Sequence, residues 1–233
     1  MALFNMGEFD LYCERTDPGL WAEPLNAVTN IAFIFAAALA FRQAGPARGW
    51  PDGLLAGLIL AIGLGSLAFH TMANRVGMLA DVIPILAFQL SFLGVHATRI
   101  LRLGVLRTGA LYLVFVALIA GVSQLPSEWL NGSVSYFPAL AMLVLLSGLQ
   151  RRAGCAGSGR LLWAGGIFVV SLTLRSLDMA LCTVWPTGTH AAWHVLNGCV
   201  LYLCATAVAP KRRQKNAGDR SPANVKEEVF STR

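Results

Sequence analysis

The chain has 233 residues, 56% of them hydrophobic and 13% charged, with a formal net charge of +6. That apolar share exceeds a soluble domain's and runs almost from end to end, which excludes a single water-excluding core as the organising feature. The basic pI near 9.4 does not point to nucleic acid, because the basic residues are dispersed over segments that flank apolar runs.

The first 25 residues are read as an N-terminal segment outside the membrane. Met1 to Asp17 carry neither a basic n-region nor an apolar h-region, so no cleavable signal peptide is expected and the first span serves as its own insertion signal. Seven apolar spans follow, at roughly 26–42, 53–71, 79–98, 108–125, 133–150, 161–182 and 188–209. Each is near the ~20 residues needed to cross the hydrocarbon. The predicted fold is therefore all-α: a polytopic seven-transmembrane helix bundle over 26–209. Residues 210–233, which include Lys211 to Arg233, lack apolar periodicity and are read as a disordered tail.

Basic residues set the orientation. Arg42 and Arg48 follow span one, Arg99, Arg102 and Arg107 separate spans three and four, Arg151, Arg152 and Arg160 separate five and six, and Lys211, Arg212, Arg213 and Lys215 follow span seven. The alternate side holds only Arg15 and Arg75. This sorting places the N-terminus outside and the C-terminus in the cytoplasm. Trp21, Trp129 and Trp185 then mark the outer boundary and Trp50 the inner one.

With that topology, Ser66 and His70 end span two, Asp81 opens span three, and His190 and His194 open span seven, all on the outer side. Ionisable groups in membrane segments are costly to keep, and their default reading is functional. Ser66 and His70 are four apart, as are His190 and His194, so each pair shares a helix face. His-x-x-x-His lets one helix offer two imidazoles to one zinc, and His70 from a facing helix makes a third ligand. Three histidines plus water form a catalytic type of zinc shell. The fourth histidine, His96, lies fifteen residues past Asp81, about 22 Å along the helix. It is read as an interfacial residue beside Arg99, outside the site.

Bound zinc lowers the pKa of water to about 7. The residues between the paired histidines, Ala191, Ala192 and Trp193, include no acid, so the base must come from elsewhere. Asp81 is the acid at the right depth, and Ser66 can donate a hydrogen bond to a developing oxyanion. The aliphatic surroundings suit a membrane lipid, and hydrolysis of a lipid amide or ester is the expected reaction. The alternative is a zinc-containing seven-transmembrane lipid receptor without turnover. A retinal-type protein is excluded by its need for a lysine inside a span, since Lys211, Lys215 and Lys226 all lie in the tail. A transporter is disfavoured because no internal repeat is found.

The motif Gly65-Ser66-Leu67-Ala68-Phe69-His70, then Asp81 with Pro84 beyond it, then His190-Ala191-Ala192-Trp193-His194, resembles the alkaline ceramidase family. So does Cys13-Glu14 followed by Glu23-Pro24-Leu25-Asn26-Ala27-Val28-Thr29-Asn30. The similarity runs from about residue 10 to 205. That family belongs to a wider group of seven-span proteins that includes progestin and adiponectin receptors. The resemblance implies hydrolysis of the ceramide amide, with zinc on His70, His190 and His194, Asp81 on the water, and Ser66 beside the oxyanion. The family's eukaryotic members also bind calcium through the N-terminal segment, so that segment here is either a calcium site or a solvated acidic stretch capping span one. Glu14 and Glu23 fall on matching positions and Tyr12 offers a carbonyl. Leu11 replaces an acidic ligand of the family, and Asp10 or Asp17 is the expected substitute.

Cys13 and Cys182 both fall on the outer side, where disulfides persist, and the resemblance pairs them. Cys155, Cys199 and Cys204 are expected to be free thiols. Arg175 and Asp178, three apart on span six, are expected to form an ion pair. The short loops fit a compact, bacterial member in the inner membrane. Its substrate is then ceramide or another N-acyl lipid.

Overall fold

The structure is a computed structural model that describes residues 8–45, 49–155 and 158–209. The tail 210–233, Arg48 and the first seven residues lie outside the described residues. Seven of the described helices are long and apolar enough to cross a membrane. They are α1 (Pro24–Ala44), α2 (Trp50–Met72), α3 (Arg75–Ile100), α4 (Val105–Val122), α5 (Trp129–Arg152), α6 (Ser158–Leu181) and α7 (His190–Val208). Several begin before the apolar run does, because polar residues make their first turns. At α3 the Asn74 side chain accepts the Gly77 N–H at 2.9 Å, which starts the helix four residues ahead of the predicted span.

Each helix packs on its chain neighbours, α2 with α3 and α6 with α7 most extensively, and α1 closes the ring against α7. Helix α7 also touches α2 and α3 and is the most enclosed of the seven. Helix α4 is the most peripheral, burying only Phe115.

Small residues permit the tightest approaches, as expected where lipid supplies no hydrophobic drive between helices. A Cβ at Gly65 would stand 1.9 Å from the Ala80 carbonyl oxygen and 2.9 Å from the Asp81 nitrogen. Gly77 approaches the Phe69 Cα from the other helix to within 3.0 Å of such a Cβ. The end of α2 and the start of α3 therefore meet backbone to backbone. Gly198 does the same for α7 on α1, where a Cβ would lie 3.2 Å from the Ala32 oxygen.

At the far end of α7, Arg99 Nη1 donates to the Val208 oxygen at 3.1 Å and to Asp52 Oδ1 at 2.7 Å, while Arg160 Nη1 donates to the Thr206 oxygen at 2.8 Å. Two guanidinium groups thus satisfy the last carbonyls of the helix and complement its dipole.

The N-terminal arm folds across the opposite end. Phe9 N–H donates to the Ala73 oxygen at 3.0 Å, and a disulfide joins Cys13 to Cys182 just past α6. Cys155, Cys199 and Cys204 are free.

Two expectations are corrected. Arg175 and Asp178 do not pair, because each is claimed by backbone from another segment. Asp178, fully buried, accepts the N–H groups of Cys13 (3.0 Å), Thr189 (2.6 Å) and His190 (2.9 Å). Arg175 donates to the Asn131 carbonyl and to Ser133 Oγ. His96 is not interfacial. It is fully buried in a π turn at the end of α3, and its Nε2 shares a 3.0 Å hydrogen bond with Gln150 Oε1 of α5.

Candidate metal centre

His70 lies in the last turn of α2, and His190 and His194 lie in the first two turns of α7. All three are within 2% of complete burial. One ligand atom from each falls within 4.8 Å of the others. Ring centroids are 4.7 Å apart for His70–His194 and for His190–His194, and 5.1 Å for His70–His190. Three imidazoles this close offer a set of nitrogen donors, and that donor chemistry suits a borderline ion such as zinc.

The partners of the outer ring nitrogens fit a metal as well. His70 Nδ1 meets Glu23 Oε2 at 2.6 Å, so its Nε2 is the nitrogen available to an ion. His194 Nδ1 meets Thr29 Oγ1 at 2.9 Å. The Thr29 hydroxyl already has the Leu25 oxygen as an acceptor at 2.8 Å. It therefore accepts from Nδ1–H, and again Nε2 is left with its lone pair. His190 Nδ1 is buried with no hydrogen-bond partner among the described residues, an orphan in a protein interior that ordinarily pairs such atoms. Its ring stacks on Tyr12 with centroids 3.7 Å apart.

Glu23 is itself held. Arg15 Nε donates to Glu23 Oε1 at 2.5 Å, and Asn26 Nδ2 donates to Oε2 at 3.1 Å. Burial disfavours the charged carboxylate, but His70, Arg15 and Asn26 outweigh it and keep Glu23 below the usual carboxylate range. Arg15 Nη2 also donates to the His70 carbonyl at 3.0 Å, which caps α2. The sequence reading placed Glu23 with calcium and Arg15 with topology. Here the two form a relay behind a histidine.

The first turn of α7 has an external cap. Thr189 makes no side-chain cap bond, and the Asp178 carboxylate from α6 takes the Thr189 and His190 N–H groups instead. An anion at a helix N-terminus is favoured by the exposed donors and the dipole. The same carboxylate binds the arm at Cys13, so His190, α6 and the disulfide meet at one residue.

Asp81 and Ser66 line the same cavity as His190 and His194, together with Tyr12, Tyr136 and Trp193. Asp81 is close enough to interact electrostatically with His70 and Arg175. The Arg175 guanidinium lies 5.4 Å from the Tyr136 ring centre, 5.7 Å from Trp193 and 5.9 Å from Tyr12. It thus sits in an aromatic cage at the edge of the site. Burial pushes the Tyr12 phenol well above its ordinary range, against the opposing charge of Arg175. Deeper walls are apolar and include Phe88, Phe92, Phe115 and Phe168.

The structure thus brings Ser66, His70, Asp81, His190 and His194 together. Most of the residues named for calcium have other partners. Glu14 accepts the N–H groups of Leu25 (2.6 Å) and Asn26 (2.8 Å) at the start of α1, and Asp17 accepts that of Gly19 at 2.6 Å. Asp10 is exposed, Tyr12 packs on His190, and Glu23 serves His70. Among the described residues, the three histidines form the group of metal-ligating side chains that converges. The roles of Arg15, Thr29, Arg175 and Asp178 were missed. Each acts on a residue distant in sequence; the only local sign for Arg15, Arg175 and Asp178 was charge within or beside an apolar run, and Thr29 gave none.

The family model described as Ceramidase matches residues 12–226 of the chain. No curated protein matches it.

Proposed function

The chain belongs to the ceramidase family, hydrolases of the amide bond of ceramide, and from that premise we propose that zinc at His70, His190 and His194 serves the cleavage of ceramide or a related N-acyl lipid. When bound, the ion would supply Lewis acidity and bring the pKa of water down to about 7. The convergence of three buried histidines, two of which line a cavity shared with Asp81 and Ser66, carries this reading.

The chain's own groups divide the work. Asp81 orients the attacking water and takes its proton as the water oxygen adds to the amide carbon. Ser66 donates a hydrogen bond to the carbonyl oxygen as it gains charge. The proton held on Asp81 then passes to the departing nitrogen, leaving a free amine and a fatty acid. Glu23 and Thr29 fix the rings of His70 and His194, and Asp178 fixes the backbone of His190. The apolar walls exclude bulk water and take the lipid chains.

The excess of arginine at the other end of the bundle supports placing the site on the outer face of a bacterial cell membrane. The hard oxygens of Asp10, Glu14 and Asp17 keep calcium as a second metal to be counted.

The test is metal analysis of the purified protein, paired with fatty acid release from C16 ceramide and other N-acyl lipids. We expect about one zinc per chain, lost in His190→Ala, and release that disappears in His194→Ala and Asp81→Ala. Zinc without release from any amide would instead mark a lipid-binding receptor.

A further inference from the structure

Past the histidines, the cavity wall carries two carboxamides that the hydrolysis does not use. Asn197 is three residues beyond His194 on α7, and Gln89 is eight beyond Asp81 on α3. Helix α7 gives the wall His190, His194, Asn197, Leu201 and Cys204, alternating steps of four and three that trace one helix face. At ~1.5 Å per residue, Asn197 lies about 4–5 Å along the axis from His194, and Gln89 about 12 Å from Asp81.

Neither carboxamide makes a hydrogen bond with another described residue. Asn197 is only 9% exposed, and the cavity it lines is walled by Phe33, Phe92 and Val200 among others. A carboxamide that opens onto a largely apolar cavity with no protein partner is unfavourable unless something in the cavity bonds it. Within a membrane the usual remedy is a partner on a neighbouring helix, which Asn197 lacks. A wall meant only for methylenes would carry leucine there. Asn offers two N–H donors and a carbonyl acceptor, a match for a hydroxyl.

We propose that Asn197 is a specificity-determining residue that hydrogen-bonds a hydroxyl carried on the substrate within a few bonds of the scissile amide, with Gln89 extending the polar stripe inward. This deepens the lipid-amide reading and rests on it. The substrate is thereby narrowed to hydroxylated N-acyl lipids. Either the hydroxyl of the amine-bearing chain next to the amide or an α-hydroxyl of the acyl chain supplies the same chemistry.

The experiment compares kcat and KM for C16 ceramide, its 3-deoxy analogue and its α-hydroxyacyl analogue, using the full-length protein with its metal. The variants are Asn197→Leu and Gln89→Leu. The wild type should favour the better hydroxylated lipid over its deoxy counterpart by about tenfold or more in kcat/KM, the worth of one well-placed hydrogen bond. Asn197→Leu should erase that preference while holding the deoxy lipid within about twofold. Which hydroxyl matters identifies its source. Equal rates on hydroxylated and deoxy lipids in the wild type would overturn the proposal. So would a uniform fall on every substrate in Asn197→Leu, the mark of a packing role. Should no amide be cleaved at all, the hydrolase reading fails separately. Displacement of a fluorescent N-acyl lipid by the same three compounds then decides: a tenfold gap that vanishes in Asn197→Leu upholds the subsite, and equal displacement removes it.

Discussion

At the scale of single residues, the centre depends on groups one bond removed from the histidines. Glu23 fixes His70 and Thr29 fixes His194. Loss of such a partner commonly weakens metal binding by about 10–100-fold. We expect Glu23→Gln to weaken zinc retention toward the upper end of that range, because the variant also strands buried Arg15, and Thr29→Val to sit at the lower end. Competition against a graded chelator measures both. These roles also mark how far the sequence could be read. The histidines, Asp81 and Ser66 were visible because spacing and membrane depth are local facts that the fold only has to honour. Glu23 was visible as an acid at a helix start but not as the partner of His70, because 47 residues separate them. Asp178 gave a misleading local signal. An arginine three residues away made an ion pair the natural reading, yet the amide donors of two other segments won the carboxylate.

At the scale of helices, the α2–α3 contact positions the acid against the metal ligands. Gly65 leaves no room for a side chain beside Ala80 and Asp81. A methyl group there must push α3 outward and carry Asp81 with it. We expect Gly65→Ala to lower the thermal midpoint, with a penalty on the order of 1–3 kcal/mol for overpacking, and to cut kcat by a hundredfold or more, since small misplacement of a catalytic group is severe. Gly57→Ala on the same helix meets nothing within 4 Å, and should leave kcat unchanged and the midpoint equal or slightly higher. Parallel melting curves and rates decide the matter. The seven spans themselves were legible from apolar run length, and their errors fall at the ends. There, capping groups such as Asn74 extend a helix into polar sequence that no hydropathy pattern includes.

At the scale of the whole molecule, the bundle is tied together by the arm and its disulfide, which spans 169 residues of sequence. Removing a native disulfide typically costs about 2–5 kcal/mol, and inserted helices that cannot fully unfold place this protein near the lower figure. We expect reductant to lower the thermal midpoint of the wild type and to leave that of Cys13→Ser unmoved. A fluorescent reporter fused after Arg233 should mature in the cytoplasm, and a phosphatase reporter at the same place should stay inactive; the opposite pattern would invert the bundle. The arm also has a consequence in time. Tyr12, Cys13, Arg15 and Glu23 leave the ribosome before the segments that carry their partners His190, Cys182 and His70. The arm therefore finds its place only after the helices it ties together, and maturation must wait until α7 has been threaded into the bilayer.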